Sequence, residues 1–289
     1  MNLIPSCAEC LIRKNTNNYP KDADPGTVRD YQDKIRTAVS ANCGVKSSPE
    51  TISLLHVIYR EHFGPMKDFS EEKQYYNDLM LGLEDELQGR IEAAPDPLLQ
   101  ALRYAMTGNY IDFAALNGNV EEERLLSLLE DAERIRISEE MLEQFRNDAA
   151  KAKTLVYMTD NCGEIVCDKL LIRQLKKVNP GLYVTVIVRG KPIFNDATIE
   201  DAKQTGMDLA ADALIGSGSD MPGNALGSIS SEAAEASKNA DLLISKGQAN
   251  FEGLHGCGLP IYYMFLCKCD LFTGMFKVPK LTGILTRET

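Results

Sequence analysis

Two spacings of apolar residues divide this chain. Up to about residue 150, Leu, Ile and Met recur three and four positions apart among charges, as on one face of a helix. Ser47-Ser48-Pro49-Glu50 reads as a capping box with proline just inside, leading into Ile52, Leu54, Leu55, Val57 and Ile58. Asp96-Pro97 opens a second helix through Leu98 to Met106, and Glu121 to Arg136 and Ser138 to Ala150 continue the pattern. From Lys153 the texture changes. Short β-branched runs at Thr154 to Met158, Leu182 to Val188, Ala213 to Ile215 and Leu242 to Ser245 alternate with segments long enough for helices. Those segments are Glu164 to Val178, Ala197 to Thr205 and Ser231 to Asn239. Such alternation predicts βαβ units and an α/β fold with a mainly parallel sheet. The expected organisation is an all-α domain over 1–150 followed by an α/β domain over 151–289, the first packed onto the second.

Composition narrows the function. At 289 residues the chain can bury a large core. Its net charge of −11 argues against a nucleic-acid binder, which needs a basic face. It leaves room for a small phosphorylated substrate if a metal and one or two cations supply local positive charge. No apolar run is long enough to span a bilayer, and the first residues lack a signal-peptide pattern, so no membrane partner and a cytosolic location are expected. The sequence carries no signal of oligomeric state.

Candidate chemistry gathers where predicted strands end. In an open α/β sheet, ligands bind beyond the carboxyl ends of the strands. There the chain has Asp160-Asn161-Cys162-Gly163-Glu164, then Arg189-Gly190-Lys191-Pro192-Ile193-Phe194-Asn195-Asp196, then Lys246-Gly247-Gln248-Ala249-Asn250-Phe251-Glu252. Each piece alone is ordinary turn chemistry. Three such clusters converge in space if the strands are neighbours. Asp160, Asn161 and Asp196 offer hard oxygen ligands for one divalent cation such as Mg²⁺ or Mn²⁺. Lys246 can place a point charge on a phosphate, and Gly247 permits close backbone approach. Backbone N–H groups at Gly163, Gly216 to Gly218 or Gly247 are candidate anion donors. A further cluster, Gly108-Asn109-Tyr110-Ile111-Asp112, reads locally as a helix end with Gly108 as its stop.

These elements, with Cys7-Ala8-Glu9-Cys10, resemble the metal-dependent damage-control phosphatases, and most of all their short prokaryotic branch. The motifs span nearly the whole chain in the expected order. The resemblance implies a helical domain followed by a Rossmann-like α/β domain. It also implies a phosphatase that uses Mg²⁺, Mn²⁺, Co²⁺ or Ni²⁺ on small phosphorylated metabolites, often damaged or harmful by-products. By carry-over, Asp160, Asn161 and Asp196 bind the metal, while Asn109, Asp112, Glu164, Arg189, Lys246, Asn250 and Glu252 line the pocket. Two mechanisms stay open: direct attack by a metal-bound water of lowered pKa, or an aspartyl-phosphate, with Asp196 or Glu252 then activating water. The first is preferred because Asp160 is committed to the ion.

Other residues carry weaker signals. Cys7 and Cys10 have metal-ligand spacing, and Cys43, Cys267 and Cys269 can complete a second, thiolate-bound metal, although one CxxC is only half a signature. His56 and His62 read as structural, His255 follows the lysine cluster, and Cys167, Met80 and Met106 read as core. Two rival functions fit the same fold. An S-adenosylmethionine-dependent carboxyl methyltransferase would leave the oxygen ligands idle, and a non-catalytic metal- or nucleotide-binding regulator would turn over no phosphate ester.

Overall fold

The computed structural model describes residues 1–116, 118 and 120–289. Seven helices come first: α1 (Pro5–Asn15), α2 (Pro25–Asn42), α3 (Ser48–Phe63), α4 (Ser70–Ala93), α5 (Pro97–Gly108), α6 (Glu122–Glu130) and α7 (Glu139–Lys151), with a 3₁₀ turn at Ala132–Arg134. Their starts follow the local chemistry. Ser47 and Glu50 exchange the capping-box bonds, and Asp24 and Asp96 each accept a first-turn N–H ahead of a proline.

The remainder alternates strand and helix: β1 (Thr154–Met158), α8 (Glu164–Val178), β2 (Tyr183–Val188), α9 (Ile199–Gln204), α10 (Met207–Ala210), β3 (Ala213–Gly216), α11 (Ser231–Asn239), β4 (Leu242–Lys246), α12 (Gln248–Leu254), β5 (Ile261–Leu266), α13 (Asp270–Phe276) and β6 (Gly283–Arg287). The sheet order is β3-β2-β1-β4-β5-β6, parallel except for the antiparallel edge strand β6. β5 and β6 extend the four strands expected from sequence. Ile261–Leu266 is buried on both faces, so the run shows no alternation to mark it as a strand. Chain order reverses between β1 and β4, which makes their carboxyl ends the natural crevice.

Two apolar layers sandwich the sheet. Leu155, Tyr157, Val184, Val186, Leu242, Ile244, Tyr262 and Met264 join residues of α4, α5, α7 and α8 in one cluster. Their alternates Val156, Met158, Ile187, Leu243, Tyr263 and Phe265 meet Phe251, Leu254 and Phe272 on the other face. Fully burying one such side chain contributes about 1.5–3 kcal/mol. Met80, Met106 and Cys167 are fully buried in the first layer. That layer runs across residue 150, whereas α1–α3 hold a smaller cluster of their own around Tyr31, Ile35 and Leu55.

Gly108 ends α5 for a reason other than a left-handed turn. A Cβ there would lie 3.3 Å from Cys167 and from the Cα of Glu164, so the glycine lets α5 close on α8. Among the described residues, no helix is long and apolar enough to cross a membrane.

Candidate active site

The turns after β1 and β2 are zipped together. Asn161 and Asp196 form an antiparallel bridge, with Cys162 N–H donating to Asn195 O at 2.8 Å and Ala197 N–H to Asp160 O at 2.8 Å. Register therefore sets Asp160, Asn161 and Asp196 side by side at the sheet's carboxyl edge. Arg189, the residue after β2, reaches between the acids. Its Nε donates to Asp196 Oδ2 at 2.5 Å, Nη2 to Asp160 Oδ1 at 3.3 Å, and Nη1 to Asn250 Oδ1 at 3.4 Å. All four residues are almost fully buried.

Asn109 approaches from the end of α5. Its amide donates to Asp160 Oδ2 at 3.0 Å and to both Glu164 oxygens at 3.1 and 3.0 Å. Asn161 Nδ2 bonds the same two carboxylates at 2.9 Å each. Gly247, at φ 82°, lies against Asp160. A Cβ there would sit 1.9 Å from Asp160 Oδ2, so only glycine fits.

Several expected residues sit elsewhere or act differently. The sequence reading puts Lys246 on a phosphate. The fold makes it the last residue of β4, in register with Leu242 and Ile244, and so turns it toward α5 and α8. Its ammonium has no exposed surface and donates to Ala105 O at 2.8 Å, Glu164 at 2.6 Å and Asp168 at 2.5 Å. Glu252 projects to α3, where Ser48 donates to it at 3.1 Å, and burial pushes its carboxyl up to about 7. Asp112 lies at the rim and takes Lys268 at 2.6 Å. Three of the candidate anion donors are already engaged: Gly163 N–H to Asn77 Oδ1 at 2.7 Å, Gly247 N–H to Met264 O at 3.0 Å, and Ser217 N–H to Val188 O at 2.8 Å.

Three contributors, Lys268, Asn224 and Asp168, escape the sequence reading, and Asn195, quoted there only as part of its segment, gains a role. Lys268, just past β5, donates to Asn109 O at 2.5 Å and fixes that residue's backbone. Asn195 ties the 111–113 loop to the site through Ile111 O and the Phe113 N–H, at 2.9 and 3.1 Å. Asn224 donates to Asn250 Oδ1 at 3.0 Å, and Asp168 completes the Lys246 cluster. Only Asp168 had a visible signal, one helical turn after Glu164 on α8.

Charge is the main property of this site. Asp160, Asp196, Glu164 and Asp168 face only Arg189 and Lys246, an excess of two negative charges when all are ionised. Burial, with Glu164 and Asp196 adding to it, pushes the Asp160 carboxyl well above its usual range. Burial also raises Asp196, against the pull of Arg189. Lys246 is held charged but shares that charge between two acids, and Asp168 rises to about 7, burial being the main cause.

No disulfide forms among the described residues. Cys7 and Cys10 are half-buried on α1, Cys43 bonds Leu3 O, Cys267 is buried and Cys269 is exposed beside Gln248. Burial pushes the Cys7 thiol up to about 11. His255 pairs with Glu288 at the surface and takes no part in the cluster.

Residues 3–282 match the damage-control phosphatase ARMT1-like domain. The chain belongs to that family. A damage-control phosphatase of Archaeoglobus fulgidus is 31% identical over 287 residues, covering 93% of each chain. One from Pyrococcus horikoshii is 34% identical over 184 residues, 62% of this chain and 61% of that one. The crystal structure of a DUF89 family protein from P. horikoshii superposes with a TM-score of 0.80 at 24% identity, covering 100% of both chains. The α/β architecture is thus shared with a solved member of this phosphatase family.

Proposed function

We propose that this chain is a divalent-metal-dependent phosphatase acting on small phosphomonoesters, in keeping with the removal of damaged or harmful metabolites. The observation that carries the reading is the buried excess of two negative charges around Asp160, Glu164, Asp168 and Asp196. Such a cluster is relieved by protons, as the raised carboxyls indicate, or by a doubly charged cation.

The donor set fits a hard cation. Asp160, Asn161 and Asp196 present oxygen, with no histidine among them. Among the described residues no three His, Cys, Asp or Glu side chains share one candidate ion site, and this set has two carboxylates with an amide as its third member. Mg²⁺, Mn²⁺, Co²⁺ and Ni²⁺ are the candidates. When bound, such an ion supplies Lewis-acid charge to phosphoryl oxygens and lowers the pKa of water.

The protein's own residues supply the rest. Arg189 holds Asp160 and Asp196 in fixed orientation and keeps a positive charge where phosphate charge develops. Asn109 and Asn161 spend their amide donors on Asp160 and Glu164, which keeps the acids from turning away. Gly247 leaves the space against Asp160 that a methyl would fill. Asp196, with its raised carboxyl, is the candidate to take a proton from the attacking water. Lys246 and Lys268 act by position: the first fixes Glu164, the second Asn109 and Asp112.

The test is p-nitrophenyl phosphate hydrolysis by metal-stripped protein with each of the four ions added back. Activity should return with metal and vanish in a folded Asp196→Ala variant, whose metal-induced rise in Tm should vanish too. Full activity in that variant would remove Asp196 from the site.

A further inference from the structure

α4 belongs to the helical half, yet it holds both turns that carry the candidate metal ligands. Asn77 on α4 has no exposed surface, although the helix docks through the apolar Tyr76, Met80, Leu87 and Ile91. A fully buried amide in such a setting costs stability unless its polar groups are paired. Asn77 pairs them across two separate segments. Its Oδ1 accepts the Gly163 N–H at 2.7 Å, two residues past Asn161. Its Nδ2 donates to Asp201 Oδ1 at 3.3 Å and to Gln204 Oε1 at 3.1 Å, both on α9.

Lys73 reinforces the second of these links. It lies one helical turn before Asn77 on the same face of α4 and pairs with Asp201 at 2.6 Å. Asp201 Oδ2 in turn accepts the Thr198 N–H at 2.8 Å and its hydroxyl at 2.7 Å, which fixes the chain two residues past Asp196. Thr198 itself bridges to Arg189. α4 thus grips the first turn directly and the second through Asp201. The Asn161–Asp196 bridge joins the same two turns between these grips.

The chemistry of the position selects the residue. Toward Gly163 an acceptor is needed, and toward Asp201 a donor. An amide side chain supplies both, whereas a carboxylate or an apolar group does not. Its orientation follows, since a flip would set the NH₂ against an N–H and the carbonyl oxygen against a carboxylate. The first turn also runs directly against α4. Gly163 adopts φ 72°, and a Cβ there would lie 3.0 Å from the Tyr76 carbonyl oxygen and 2.8 Å from Ile111.

We propose that Asn77 is a positioning residue of the metal centre: from α4, with Lys73 acting through Asp201, it sets the spacing between the turn bearing Asp160 and Asn161 and the turn bearing Asp196. The proposal rests on the metal reading of those three residues. It makes the helical half a working part of the site and not only a cover over it. Oxygen ligands of a small divalent ion tolerate little change in distance, so a shift between the turns weakens the ion's binding.

The probe is Mn²⁺ alone, titrated into the chelator-treated full chain with the free ion read by electron paramagnetic resonance. Urea unfolding is run on each variant. Asn77→Leu nearly keeps the volume and removes both bonds, so Mn²⁺ affinity should fall roughly tenfold, as for other outer partners of metal ligands. Asn77→Asp keeps an acceptor for Gly163 but sets a carboxylate against Asp201, and should also weaken binding. Adding Asp201→Asn exchanges the two groups. The carboxylate at position 77 then lies one turn from Lys73, and the amide at position 201 donates to it while still accepting from Thr198. Affinity of this exchanged pair should return to within about threefold of wild type. A residue that only stabilises the fold would lower the urea midpoint and leave the affinity of the folded protein unchanged. Wild-type affinity in folded Asn77→Leu therefore overturns the proposal. So does an exchanged pair that binds no better than Asn77→Asp, a comparison that stands even where Asn77→Leu does not fold. Absence of Mn²⁺ binding by wild type is a different failure, which removes the metal reading itself and this inference with it.

Discussion

Two buried clusters lie a few residues apart and are built alike: one cation between two carboxylates. In the deeper one, Lys246 sits between Glu164 and Asp168, and none of the three side chains touches solvent. In the shallower one, Arg189 sits between Asp160 and Asp196, whose side chains keep 6% and 7% exposure at the crevice. Asn109 and Asn161 join the two by bonding Asp160 and Glu164 together. The deeper cluster holds α5, α8 and β4 in place, and burial commits it to structure. The shallower one has the same charge deficit with an open side. The difference teaches that composition alone does not make a site, because only the cluster that a ligand can reach can exchange its excess charge for chemistry.

Asp160→Asn strikes the shallow cluster hardest. It removes a proposed metal ligand and half of the excess charge, so activity should fall on the order of 10³-fold. Metal-free stability should hold or rise, since a buried acid with a raised pKa is gone. Tm measured with and without Mn²⁺ should then coincide. A variant that still gains Tm with metal would place the ion elsewhere.

Lys246→Met should do the reverse. It leaves Glu164 and Asp168 buried without their cation, which costs about 3–5 kcal/mol of stability. Urea unfolding at pH 7 reads this directly. A variant as stable as the wild type yet inactive would break the comparison and return Lys246 to the substrate.

Gly247→Ala tests the boundary between the clusters. The new methyl would displace the Asp160 carboxylate and force an alanine to φ 82°. A loss of about 1–3 kcal/mol is expected from overpacking of this kind. Activity should fall further than a stability loss of that size explains, because the atom displaced belongs to a proposed metal ligand. Unchanged kcat/KM in the variant would show that Asp160 has room to move.

The shallow cluster was the more legible of the two. Asp160, Asn161 and Asp196 stand just past apolar runs, and strand ends at a switch point are where ligands bind, so their position follows from pattern. Lys246 looked equivalent, yet β4 runs one residue longer than its apolar stretch and includes it. The alternation Leu242, Ile244, Lys246 then sends it to the helix side, a parity the sequence contained but the strand boundary concealed. Lys268 was hidden because β5 is apolar on both faces and gives no period. Asn224 and Phe194 lie in loops with no periodicity, so their placement is a tertiary result. The helix caps at Ser47 and Asp96 were plain because their chemistry is local.

The smallest effect separates the clusters by pH. Asp168 rises to about 7 in the folded chain because burial outweighs its share of Lys246, against an ordinary carboxyl near pH 4 when unfolded. Between those values the native state keeps a proton that the unfolded state has lost. This contribution to stability therefore falls as pH rises from about 4 to about 7 and is level above that, with a slope of at most about 1.4 kcal/mol per pH unit. Asp168→Asn removes the titrating group while Glu164 remains beside Lys246 and Tyr157 beside the new amide. In chelator-treated protein, urea unfolding at pH 5, 6, 7 and 8 should show the variant gaining on the wild type with each step up to about 7, the two curves then running parallel. Curves parallel across the whole range would mean that Asp168 is ionised throughout, and that the deeper cluster carries its full negative charge without help from a proton.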